Sequence, residues 1–147
     1  MTSPHQHEPR TGQQIYDDGM AVRREVLGDE HVDRATNAAD ELTEEFQSMI
    51  TRHAWGTIWT RPGLDRRSRS IITLTALTAG GYWHELEMHV RAARRNGLTR
   101  EEIKEVFLQS AVYCSVPAAN VAFGIAQRVL AEEREPAQDT VQPEEKQ

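Results

Sequence analysis

The stretch Tyr82-Trp-His-Glu-Leu-Glu-Met-His89 holds the residues best suited to chemistry in this chain. Read as a helix, it places Glu85 and His89 at i and i+4, where side chains are neighbours. Tyr82 lies one turn before Glu85. Leu86, on the apolar stripe, lies one turn from His89, so the pair falls at the edge of a buried face, where a pocket wall would be. A carboxylate beside an imidazole favours the imidazolium and orients the ring. Such a pair can move protons near neutral pH. The same spacing also occurs on helix surfaces with little consequence. His84 is about 140° around the helix from His89. It points toward the stripe of Met88, Arg91 and Arg95, which reads as surface or interface.

A second group is Arg61-Pro-Gly-Leu-Asp-Arg66-Arg67-Ser-Arg69. Three arginines crowd the first turn of a helix, where cations oppose the helix dipole. A carboxylate ligand, or acids on another subunit, would offset them, and arginine suits bidentate carboxylate binding. A solvated basic face is the plainer alternative. His53, Trp55 and Trp59 crowd the preceding segment, and aromatics at such spacing are commonly core. Tyr113 and Cys114 precede a turn and read as core or pocket lining. A lone cysteine without an activating neighbour is no nucleophile. The chain has no Gly-rich phosphate loop, no HExxH and no GxSxG.

These residues must be held by helices. Ile15, Gly19, Val22 and Val26 have helical spacing from Gln13 to Leu27, and Gly28 ends that segment. A short connection through His31 leads to a second helix over about 38–59, with Leu42, Phe46, Ile50 and Ala54 inward and Arg61-Pro-Gly63 as its stop. Asp65 caps a third, central helix that carries the apolar run 71–77 and closes at Gly80-Gly81. The fourth spans about 83–96, with Leu86, Val90 and Ala93 inward and Gly97 after it. Thr99-Arg-Glu-Glu102 is a capping box opening the fifth, with Ile103, Val106, Phe107, Ser110 and Cys114 buried. Pro117 starts the sixth, with Ala118, Val121, Ala122, Ile125 and Val129 inward. There is no convincing strand and no internal repeat. The expected fold is all-α with six helices in one domain over residues 12–133. A loose arm (1–11), where His5 and His7 read as solvated rather than metal-binding, precedes it, and a disordered acidic tail (134–147) follows.

Composition narrows the classes. The 147 residues carry a net charge of −6. Residues 131–147 hold six acids against two bases, so the folded part is close to neutral. Its cations are strongly biased to arginine: of 17 bases only Lys104 and Lys146 are lysines. A nucleic-acid module would show a basic field, and none is present. One cysteine cannot form an internal disulfide or a CxxC redox pair. No apolar run is long enough to span a membrane and no signal region opens the chain. A cytoplasmic protein is the expectation.

Dispersed blocks then become recognisable. They are Tyr16-Asp-Asp-Gly-Met-x-x-Arg23-x-x-Val26-Leu-Gly28, Trp55-Gly-Thr-Ile-Trp59-x-Arg61-Pro-Gly-Leu-Asp65-x-Arg67-x-Arg69-Ser70, His84-Glu-Leu-x-x-His89, Asn96-Gly-Leu-Thr99-x-Glu101-Glu-Ile103 and Tyr113-Cys-x-Val-Pro117-Ala-Ala-Asn120. In this order, from about Tyr16 to Leu130, the chain resembles the 4-carboxymuconolactone decarboxylases of the carboxymuconolactone decarboxylase and alkyl hydroperoxidase D superfamily. The redox branch of that superfamily carries CxxCxxxH. Here the histidine is kept as His89, but Tyr82 and Glu85 stand at the cysteine positions, which argues against peroxidase chemistry. Ser115 replaces the glycine expected after the Tyr-Cys pair.

The resemblance implies an all-helical alkyl hydroperoxidase D-like domain assembled as a trimer or hexamer, with pockets near subunit contacts. It implies conversion of 4-carboxymuconolactone to 3-oxoadipate enol-lactone and CO2 in protocatechuate (β-ketoadipate) catabolism, without metal or organic cofactor. The partners implied are a small lactone carboxylate and further copies of the chain, with neither nucleic acid nor membrane. The chemistry fits so small an apparatus. Loss of CO2 leaves a dienolate delocalised onto the lactone carbonyl, so the substrate is its own electron sink. The protein must anchor a carboxylate, stabilise an oxyanion and deliver a proton. His89 is the candidate proton donor or oxyanion stabiliser and Glu85 its orienting partner. Arg66, Arg67 or Arg69 would hold carboxylate, with Trp55, Tyr82 or Tyr113 lining the pocket. Two rivals remain: a related decarboxylase or proton-transfer enzyme of other specificity, and a non-catalytic helical binding subunit.

Overall fold

The computed structural model describes residues 9–133, and the residues it describes are helical with no strand. Seven helices follow one another: α1 (Gly12–Leu27), α2 (Asp29–Asn37), α3 (Glu44–Ile50, continuing as a π-helix over Thr51–Trp59), α4 (Arg66–Gly80), α5 (Trp83–Arg95), α6 (Arg100–Tyr113) and α7 (Val116–Glu132). The expected arm and tail fall largely outside the described residues. Arg10 and Thr11 do not belong to a loose arm. Thr11 caps α1 in a capping box with Gln14, and Arg10 bonds Asp18 and the Gly56 carbonyl.

The chain differs from the six-helix expectation between Gly28 and Ile50. Gly28, at φ +85°, ends α1 and at once begins α2. The segment read as a connection is therefore a helix, and His31 lies on it. Val32 is its only buried residue, so it lacks the apolar stripe that marks a helix in sequence. Residues 38–43 form turns instead of helix. Leu42 is 87% exposed and Phe46 is exposed, against the expectation that both face inward.

The π-helical stretch is the second difference. It follows from contact with α1. A Cβ on Gly19 would stand 2.2 Å from the Thr51 carbonyl oxygen, and one on Gly56 would stand 2.3 Å from that of Ile15. Two glycines thus bring the backbones of α1 and the π-helix together. The wider turn frees carbonyls from the usual ladder. Donors supplied from the side satisfy two of them: Arg10 and the Thr60 hydroxyl at Gly56, and the Thr57 hydroxyl at Arg52.

Two apolar clusters form the core, and α5 serves both. Leu86, Val90 and Ala93 pack with Leu74 of α4, Ile103 and Phe107 of α6, Ala122, Ile125 and Val129 of α7, and Leu98 from the α5–α6 connection. On its other side Ala92 packs with Val26, Leu27, Val32 and Trp55. Two caps place their helices as expected: Asp65 accepts from the Ser68 amide, and Thr99 and Glu102 form their capping box. Ser115, read only as a replaced glycine, proves to cap α7, whose first turn holds Pro117 as expected. Helix α4 is not central, for Ile71 and Ile72 are exposed. Val121 on α7 is exposed as well, and Cys114 is half-buried.

Candidate active site

His89 lies where the two clusters meet. Its neighbours on α5, Val90 and Ala92, each enter a different cluster, which leaves His89 only 9% exposed. The ring lies against two indoles. Trp55 is nearly parallel to it, with centroids 6.4 Å apart and planes at 9°, and Trp59 is also at 6.4 Å, at 20°. The two tryptophans stack on each other at 5.2 Å. Both come from the π-helix, so the wide turn aims them at His89.

Burial governs the charge of this ring. It pushes the His89 pKa down from 6.5 to about 4, helped by the positive field of His31; Glu85 acts in the opposite direction and more weakly. The expectation of an imidazolium held by Glu85 is thereby corrected. Glu85 is exposed, and Nδ1 of His89 is buried without a hydrogen-bond partner, so the carboxylate does not orient it. Desolvation outweighs one carboxylate at the surface. At neutral pH His89 is an uncharged ring with a polar atom waiting for a partner.

The arginines of α4 are distributed differently from the expected cluster. Arg66 pairs with Glu25 of α1 and lines a cavity shared with Trp59. Arg67 is held by Glu102 and the Gly97 carbonyl, tying α4 to the start of α6. Arg69 donates to the Arg61 carbonyl at 3.0 Å, while its Nε is buried and unpartnered. Tyr82 is exposed and covers Gly80. Tyr113 is also exposed, and lines an apolar cavity with Ile71, Thr75 and Val106 on the α4–α6 face. The structure therefore brings His89 and Trp55 together, and leaves Arg67 and Tyr113 elsewhere.

Two further residues, His31 beside His89 and Arg23 beside His31, were not among the sequence candidates. His31 is half-buried, and its pKa is lowered by burial and by Arg23, Arg34, His84 and Arg95. Arg23 is 6% exposed and bonds only neutral groups, the Thr51 hydroxyl at 3.2 Å and the Gln47 amide oxygen at 3.0 Å. Its Nε is unpartnered. An arginine on the inner stripe of a helix was the available signal, since Arg is seldom buried without an acid. Among the described residues no three His, Cys, Asp or Glu side chains form a group that could hold a metal ion.

The model of the carboxymuconolactone decarboxylase family matches residues 44–128, from the start of α3 into α7. The chain belongs to the carboxymuconolactone decarboxylase family. It is 43% identical over 118 residues to a 4-carboxymuconolactone decarboxylase of Acinetobacter baylyi, covering 80% of this chain and 88% of that one. It is also 43% identical over 116 residues to the nitrosuccinic acid decarboxylase npaB of Metarhizium robertsii, covering 79% and 81%. A 4-carboxymuconolactone decarboxylase of Pseudomonas putida is 60% identical over 43 residues, which is 29% of this chain and 90% of that sequence. His89, Trp55 and Trp59 lie inside the stretch matched by the carboxymuconolactone decarboxylase model. His31 and Arg23 precede it.

Proposed function

We propose that this protein decarboxylates 4-carboxymuconolactone to 3-oxoadipate enol-lactone and CO2, as a cytoplasmic enzyme of protocatechuate catabolism. The observation that carries the reading is the buried His89 ring, flanked by Trp55 and Trp59 with Nδ1 unpartnered, in a chain 43% identical to a decarboxylase of that name. The apolar indole faces would desolvate the departing carboxylate. Electrons released from the C–C bond flow through the ring double bond to the lactone carbonyl, whose oxygen gains charge. A neutral imidazole N–H is suited to donate a hydrogen bond to that oxygen. As negative charge grows beside it, the affinity of His89 for a proton rises. Glu85, at the solvent end of the same helix face, would relay the proton that the carbon finally takes.

His89→Ala should lower kcat by about 100-fold or more, the usual cost of deleting one oxyanion donor. The assay follows ultraviolet loss of 4-carboxymuconolactone against CO2 released, with circular dichroism checking the fold. Turnover within a few-fold of wild type would remove His89 from the mechanism.

The equal identity to the Metarhizium robertsii protein supports a second reading, decarboxylation of nitrosuccinic acid. There the nitro group would take the electrons, so the same site would serve. Turnover of nitrosuccinate with the lactone left intact would select it.

We also infer a homo-oligomer, a trimer or hexamer. Support comes from apolar side chains left exposed around the α6–α7 corner, Leu108, Val112, Tyr113 and Val116.

A further inference from the structure

Between α2 and α5 lies a cavity of about 400 Å3, within the range of small-molecule sites. Its floor is apolar, Leu27 and Met88, and its walls are rich in cations. His84, Met88, Arg91 and Arg95 share one face of α5, while His31 and Arg34 face them from α2. Two acids, Glu30 and Glu87, also line it, and both are engaged. Glu30 pairs with Arg34, and Glu87 pairs with Arg91 and Arg128. With those pairs made, His31, His84 and Arg95 remain as donors with no acid partner among the described residues.

Arg95 is the telling member. Its neighbour Arg94 is paired with Glu133, and Arg91 with Glu87 and Glu132. Arg95 instead lies over the α1–α2 junction, where a Cβ on Gly28 would stand 2.8 Å from its Nη2. The glycine therefore makes room for the guanidinium at the cavity. Leu27 and Met88 join the cavity to the reaction centre, since both pack in the apolar cluster that holds Trp55, and Met88 adjoins His89 on α5. A cavity with three unanswered donors and an apolar floor continuous with the Trp55 cluster fits one class of ligand, an aliphatic carboxylate carried on a small apolar frame.

We propose that this cavity holds the substrate carboxylate that is not lost, through His31, His84 and Arg95, in place of the arginines of α4. The proposal rests on the decarboxylase reading for the identity of that carboxylate. It also assigns specificity to α2, which lies ahead of the stretch matched by the family model.

The test uses the full-length chain, 4-carboxymuconolactone as substrate and adipate as an unreactive probe. Binding is followed by the NMR signals of the His31 and His84 rings, assigned from His31→Gln and His84→Gln. Adipate should shift both signals in the wild type and fail to do so in Arg95→Gln, an exposed site where the fold is safe. Arg95→Gln and His31→Gln should each raise KM at least tenfold with kcat within about threefold. Unchanged KM in both variants, with the wild type turning over normally, would overturn the cavity assignment and leave the decarboxylase reading standing. Adipate shifts in a wild type that does not turn over the lactone would sink that reading and keep the cavity. Absence of both shifts and turnover would overturn the two together.

Discussion

The His89 imidazole differs in proton affinity between the folded and unfolded chain, and that difference is a stability term. Its pKa is about 4 when folded against an ordinary 6.5. Above pH 6.5 both states are neutral and the term is absent. As pH falls from 6.5 toward 4 the unfolded chain takes up a proton that the folded chain refuses, so stability is lost, and below 4 the loss levels off. At 1.36 kcal/mol per pH unit the full loss is about 3 kcal/mol. The lowered pKa of His31 acts in the same direction. Chemical denaturation between pH 4 and 7 should show this slope, and His89→Gln should flatten it; an equally steep slope in the variant would place the effect elsewhere. The pair Glu85–His89 was legible as a spacing, but its charge state was not. Helical geometry tells which side chains are neighbours, whereas the pKa depends on Trp55 and Trp59 arriving from another helix.

Helices with a chemical signature at their ends were readable from sequence. Asp65, Thr99 with Glu102, and Gly97 act through bonds within a few residues, so local sequence determines them. Helix α2 and the π-helix were not, because neither has a local cause. Helix α2 is amphipathic only through Val32, and its far wall is α5. The π-helix depends on Gly19 and Gly56 meeting across two elements, a contact that no window of sequence contains. It also determines where the tryptophans point. Gly56→Ala should drive α1 away from the π-helix, destabilise the fold by roughly 1–3 kcal/mol as overpacking does, and lower turnover by displacing Trp55 and Trp59 from His89. Tryptophan fluorescence and thermal melts report the two effects separately. A variant with wild-type melting and emission would show that the close approach is not needed.

At the scale of the molecule, the surplus of apolar surface remains to be placed. Val112 is 78% exposed and Tyr113 80%, with Leu108 exposed on the same helix and Val116, Ile71 and Ile72 exposed on α7 and α4. The apolar run of α4 was expected in a central helix, yet Ile71 and Ile72 are exposed. Its outward residues and those of α6 make sense if the core continues across a subunit boundary, since a lone chain gains nothing from exposing them. The same reasoning covers the exposed Leu42 and Phe46, which were expected inside. Closed symmetry would then bury one copy's α6–α7 corner against another copy. Sedimentation velocity of the wild type should give the mass of a trimer or hexamer. Val112→Glu places a charge in the patch at a side chain that is 78% exposed, so it should yield a folded, smaller species. If the variant keeps the wild-type mass, this corner is not the contact. If Val112→Glu separates the subunits and His89-dependent turnover persists, each pocket is complete within one chain; loss of turnover with the fold intact would mean that a neighbour completes it.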